Sequence, residues 1–137
     1  MKRNFTDSNK VEKLIDPVSQ GANVNSPAID LKDADEACIM VHAGATVDPG
    51  ATAAIEESEE ETTGFAIIPG SSPKTIVANQ VQLFEIDARL RKRYVRLALV
   101  CPGATLISAT HTISSSREEP VTQPSTTVVE EKFRVDP

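Results

Sequence analysis

Four side chains of this 137-residue sequence have the chemistry for a metal or nucleophilic centre: Cys38, His42, Cys101 and His111. A structural zinc site closes a tetrahedron of Cys and His ligands, and a Cys–His pair generates a thiolate nucleophile. Spacing supports neither, because no CxxC or HxxxH occurs and each residue sits within a β-prone run. All four are expected to be packed or half-exposed strand residues. Ser and Thr are plentiful, yet there is no GxSxG elbow. The six glycines are dispersed at turns rather than gathered into a phosphate-binding loop. The chain is therefore expected not to be an enzyme and to carry no cofactor or metal.

Charge is the stronger signal. Residues 89–96, "RLRKRYVR", hold five cations in a chain whose net charge is −6. A nucleic-acid platform interleaves its cations with aromatic rings for stacking, and only Tyr94 is available here. The leading reading is loop and edge cations that keep the apolar strand "VRLALVC" soluble. Pairing with an acidic protein surface comes second and nucleic acid last. The counterpart is "EESEEE", residues 56–61, with five carboxylates. Calcium takes oxygen ligands, but its loops mix in Asp, Asn and Gly, which this run lacks. A solvated strand edge is expected, with Glu57, Glu59 and Glu61 on one face and Glu56 and Glu60 on the other. The alternative is complementarity to a basic partner or to the 89–96 cluster of a neighbouring subunit.

The elements that must position these residues follow from composition and pattern. The length suits one domain, and its core must be aliphatic, since there is no Trp, one Tyr and four Phe. The acidic balance argues against nucleic acid or anionic lipid as main partner. No apolar run approaches a membrane span, and the N-terminus does not read as a secretory signal. The first 25 residues are polar and turn-rich and read as an extended arm. Val11, Leu14 and Ile15 have helical spacing, in a segment too short to hold a helix alone.

From Ala28 onward short alternating runs separated by turns predict an all-β sandwich or barrel. "AIDLKDA" and "EACIMVHAGA" read as strands, with Ile29 and Leu31 on one face of the first. "VDPGA" predicts a type II turn with Gly50 at positive φ. "TIVANQVQLFEIDARL" reads as a strand or two, with Phe84 and Ile86 sharing a face. "RYVRLALVC" and "ATLISATHTIS", joined by Pro102-Gly103, predict a β-hairpin. "VVEEKFRVDP" closes the sequence as a tail suited to pairing at a sheet edge or docking on a neighbour.

Taken in order, "AIDL" (Ala28, Ile29, Asp30, Leu31), then "RYVRL" (residues 93–97) and "REEPV" (residues 117–121) resemble the cement, or decoration, proteins of tailed bacteriophages. The resemblance covers roughly residues 26–121 and implies a jelly-roll-like body, residues 26–121, between an N-terminal arm, residues 1–25, and a tail, residues 122–137. It also implies a dimer or trimer on the capsid exterior of the virion, assembled in the host cytoplasm. There the family bridges major capsid subunits after the shell expands; it supplies no catalytic residues. The expected contact residues are Arg91, Lys92, Arg93 and Arg96 against carboxylates, with Phe5, Val128, Val129, Phe133 and Val135 as apolar anchors on the two ends. The alternatives are a head–tail connector or tail component, a carbohydrate-binding sandwich, and a cupin-like metal enzyme. The last two are disfavoured by the scarcity of aromatics and histidines.

Overall fold

The computed structural model describes residues 5–114 and residue 124. Its strands are β1 (Asn9–Gln20), β2 (Val24–Asn25), β3 (Ile29–Asp30), β4 (Glu36–Ala43), β5 (Thr52–Ser58), β6 (Ala66–Ile67), β7 (Lys74–Thr75), β8 (Val81–Asp87), β9 (Tyr94–Val100) and β10 (Thr105–Ser114). One helical turn, Phe5–Ser8, precedes β1, and a 3₁₀ turn, Ala88–Leu90, joins β8 to β9. Alternating apolar and polar residues form half-buried strands because successive side chains leave opposite faces of the pleated backbone. In β4, Ala37, Ile39, Val41 and Ala43 are buried, while Cys38 and Met40 are half-buried and Glu36 and His42 exposed.

β1, β10, β4 and β8 form one antiparallel sheet in that order. β2, β9, β5 and β6 form the other, with β3 also on β9 and β7 also on β5. The pairings nest: β5 with β6 and β7, β4 with β8, β3 and β2 with β9, and β1 with β10. The chain is one long hairpin rolled over on itself, and two further ladders, β10 with β4 and β9 with β5, close the roll. This is an all-β sandwich with jelly-roll strand order. Ile39, Val41 and Ile107 from one sheet meet Val95, Leu97 and Leu99 from the other, all essentially inaccessible to solvent. The core is aliphatic, as the composition requires.

The structure departs from expectation in four places. β9 and β10 are not a hairpin but belong to different sheets. Both edges of each strand are already occupied, β9 by β5 and by β2 and β3, β10 by β1 and β4. The Pro102-Gly103 turn therefore carries the chain across the sandwich, and the two apolar faces meet across the core instead of lying side by side. Residues 9–15 are strand, not helix. The ladder to β10 shifts register between Lys13 and Ile15 and again between Ile15 and Val18, so consecutive Leu14 and Ile15 both turn inward. A bulge of this kind breaks the two-residue period, which is why the spacing resembles a helix.

Much of the expected N-terminal arm is also sandwich. Residues 9–20 are an edge strand, and Val24 and Asn25 pair with Leu99 and Ala98. Lastly, the turn at Pro49-Gly50 is not type II. Gly64 and Gly70 are the glycines at positive φ among the described residues. Asp48 holds this turn instead, accepting Ala51 N–H on its carbonyl (3.0 Å) and Gly50 N–H on Oδ1 (2.8 Å). The Pro–Gly turn of type II character is at residues 68–71, where Gly70 has φ +82° and Ser71 N–H reaches the Ile68 carbonyl. The expected tail, with Val128, Val129, Phe133 and Val135, lies outside the described residues except for Pro124.

Candidate interaction surface

The basic stretch begins where β8 ends. Asp87 caps the 3₁₀ turn by accepting Arg89 N–H, and its carboxylate also takes Arg89 Nε and Nη2, each at 3.0 Å. The turn sets Arg91 toward the second sheet, where its Nη1 lies 3.5 Å from Glu57 Oε2. The same Glu57 oxygen accepts the Lys92 backbone N–H at 3.2 Å. Arg93 grips Asp30 through Nε and Nη2 at 3.0 and 2.9 Å and lies over the Tyr94 ring. Arg96, one turn of the pleat further, donates to Glu56 at 2.8 Å and stacks 4.2 Å from the centre of the Phe65 ring.

These pairs follow from register. β5 and β9 place Glu56 opposite Arg96 and Glu57 opposite Val95, and β3 and β9 place Asp30 opposite Tyr94. Bidentate guanidinium–carboxylate pairs are the strongest of this type. Arg93 accordingly holds the Asp30 carboxyl below its ordinary range, and Arg89 does the same to Asp87. Among the four arginines of the stretch, each has a carboxylate within its own chain. Lys92 is exposed, and its ammonium makes no ion pair among the described residues.

The acidic run is likewise not a solvated strand edge throughout. Glu57 is buried and Glu56 half-buried, because both belong to β5 beneath the arginines. β5 ends at Ser58, so the expected alternation of Glu59 and Glu61 on a strand face does not arise. The chain turns there, the Ser58 hydroxyl donating to the Thr63 carbonyl and accepting Glu60 N–H, and Glu59, Glu60 and Glu61 stay exposed. Two pairs join the charged runs inside one chain, Glu56 with Arg96 and Glu57 with Arg91.

The Cys and His residues do not converge. His42 is exposed on the outer face of the first sheet and His111 is buried on its inner face. Cys38 is half-buried on the outer face, one rung from Thr112 and Glu85, and Cys101 is buried at the end of β9. Burial pushes both thiols up, away from thiolate, the reverse of what a nucleophile needs. No group of three or more His, Cys, Asp or Glu side chains able to hold a metal forms among the described residues. Phe5 is exposed at the N-terminal helical turn.

Comparison with protein-family models, with curated proteins and with solved structures gives no match. The residues themselves carry the functional argument. Two segments of the resemblance, "AIDL" and "RYVRL", pack as one unit: Ile29 pairs with Val95, Asp30 with Tyr94, and Leu31 N–H bonds the Arg93 carbonyl at 2.7 Å. The Asp30–Arg93 fork locks this ladder from outside. Sequence reading named both segments but not their contact, which needs the β3–β9 register. It also missed the apolar groove beside β8, lined by Ile55, Ile68, Leu83, Phe84, Ile86 and Leu90.

Proposed function

We propose that this protein is a structural subunit of a tailed-bacteriophage virion that binds the outer surface of the icosahedral capsid and bridges major capsid subunits of the expanded shell. The observation that carries this reading is the coupling of the two resemblance segments. Asp30 and Arg93 lie 63 positions apart in the chain, yet the two form a single locked ladder at the edge of the second sheet. A pattern of loose strand-edge residues thus has a physical reason to occur together.

A cement subunit acts by linkage: whatever binds the assembled shell better than free capsid subunits stabilises the shell. Individual contacts can be weak, because attachment to one capsid subunit makes the next contact effectively intramolecular. Self-association as a dimer or trimer multiplies this effect. The internal pairing of Arg91, Arg93 and Arg96 moves the expected electrostatic contact to Lys92, which is exposed and makes no ion pair among the described residues, with Phe5 as the exposed apolar anchor.

The test is co-sedimentation of the purified chain with expanded and unexpanded capsid shells, counting copies per shell. Many copies bound preferentially to expanded shells are expected, with Lys92→Glu and Phe5→Ser each reducing occupancy while leaving the fold intact. A few copies at one vertex would assign the head–tail connector reading instead. Absence of binding to either shell would remove the cement reading.

A further inference from the structure

Of the residues that β10 turns inward, Thr105, Ile107, Ala109, His111 and Ile113, only His111 can carry a charge. Its ring is 4% exposed, and its buried Nδ1 has no hydrogen-bond partner among the described residues. Such a site tolerates the neutral imidazole. The protonated ring, with a donor on each nitrogen, needs acceptors or water.

The strands packed around it supply little of either. On β1, Glu12 stands opposite His111 and Lys10 opposite Ile113, and opposed residues share a face with their β carbons about 5 Å apart. That carboxylate already pairs with Lys10 at 3.1 Å. On β4, Ile39 stands opposite, between Ala37 and Val41, while Glu36, Cys38 and His42 lie on the other face. Across the core, β9 presents Val95, Leu97 and Leu99, and β5 presents Ala53, Ile55 and Glu57, the last paired with Arg91. Burial therefore dominates and lowers the His111 pKa from 6.5, opposed by Glu12 and reinforced by Lys10.

β1 is the element that separates the ring from water with least holding it. It lies at the edge of its sheet and pairs with β10 alone among the described residues. Two register shifts interrupt that ladder, and a bulge leaves backbone groups unpaired. Leu14 and Ile15 are its buried side chains. Removing β1 leaves the β10–β4 and β4–β8 ladders whole. The helical turn bearing Phe5 is tied to the same strand, since Asn9 Nδ2 donates to the Phe5 carbonyl at 2.9 Å.

We propose that β1 is an acid-released strand: protonation of His111 favours a state in which β1 has lifted from β10 and taken the Phe5 turn with it, while the rest of the sandwich persists. The docked state resists the proton, whereas the lifted state wets the ring and restores its ordinary affinity. Docking is thus complete above pH 6.5. Each pH unit below that favours release by up to about tenfold, until the docked form also binds the proton. The inference is independent of shell attachment and is tested on the protein alone.

Hydrogen exchange of the full chain from about pH 7.5 to about pH 5 reads this out, each rate being compared with the intrinsic rate at that pH. Protection of β1 should fall by up to roughly thirtyfold by about pH 5, while β4 and β9 keep theirs. In His111→Leu the β1 protection should stay level. Should that variant lose protection in β4 and β9 at neutral pH, His111→Gln takes its place with the same expectation. Level β1 protection in the unaltered chain overturns the proposal. A parallel loss in β1, β4 and β9 also overturns it and assigns the proton uptake to global unfolding. Loss that persists without His111 overturns it in favour of another titrating group.

Discussion

At the scale of single residues, the charged surface is organised by short-range pairing within the chain. Arg96 is the best placed, half-buried between Glu56 and the Phe65 ring. Arg96→Ala should lower stability by about 1 kcal/mol, more than an exposed pair provides because cation–π and ionic contacts are both lost. Chemical denaturation of Arg96→Ala, Glu56→Ala and the double variant checks this, and a coupling near zero would contradict it. His111 offers a second handle. It is buried opposite Ile39 and Glu12, its Nδ1 has no hydrogen-bond partner among the described residues, and burial lowers its pKa from 6.5. The unfolded chain therefore takes up a proton near pH 6.5 that the folded chain resists. Stability from this group is complete above pH 6.5 and declines as pH falls below it, until the lower folded value is reached. In His111→Leu that part of the decline should disappear, as pH-dependent denaturation midpoints would show.

At the scale of elements, alternation made the strands legible and connectivity did not. Ala37, Ile39, Val41, Ala43, Val95, Leu97 and Leu99 all lie inside as their period requires. A sandwich turns both apolar faces inward, so β9 and β10 carry the same pattern whether they pair in one sheet or face each other across two. Local sequence holds no sign of that choice, because partners β1 to β5 occupying their edges lie far away in the chain. The bulged β1 was hidden for a related reason, its doubled inward residues Leu14 and Ile15 imitating a helical face. Of the candidate surface, the charges were visible but their partners were not, since Glu56, Glu57 and Asp30 reach the arginines only through strand register. The crossing between β9 and β10 also depends on a close approach. A Cβ on Gly103 would fall 2.4 Å from Asp48 Oδ2, while Asp48 Oδ1 holds Gly50 N–H. Gly103→Ala should thus displace Asp48 and cost about 1–2 kcal/mol through the lost turn contact. Thermal melts should show a smaller cost for the same change in an Asp48→Ala background.

At the scale of the whole molecule, the jelly roll is a body in which each arginine of the basic stretch is paired internally while Lys92 and Phe5 are exposed. The proposed bridging role asks for such a body, rigid in itself and engaging neighbours through a few exposed groups. The nested pairing bears also on how the protein is made. β1 has no partner until β10 exists, and β2 and β3 have none until β9 exists. Both late strands are interior members of their sheets. A ribosome delivers the chain from its N-terminus, so the early strands emerge with their hydrogen-bonding edges and apolar faces unmatched. Each sheet is completed only when its own last strand arrives, β10 in the first and β9 in the second. Arrested nascent chains should therefore stay sensitive to protease until residue 114 has cleared the tunnel and then become resistant in a single step. The same geometry places the period of greatest aggregation risk during synthesis, before β9 and β10 arrive to cover the early strands.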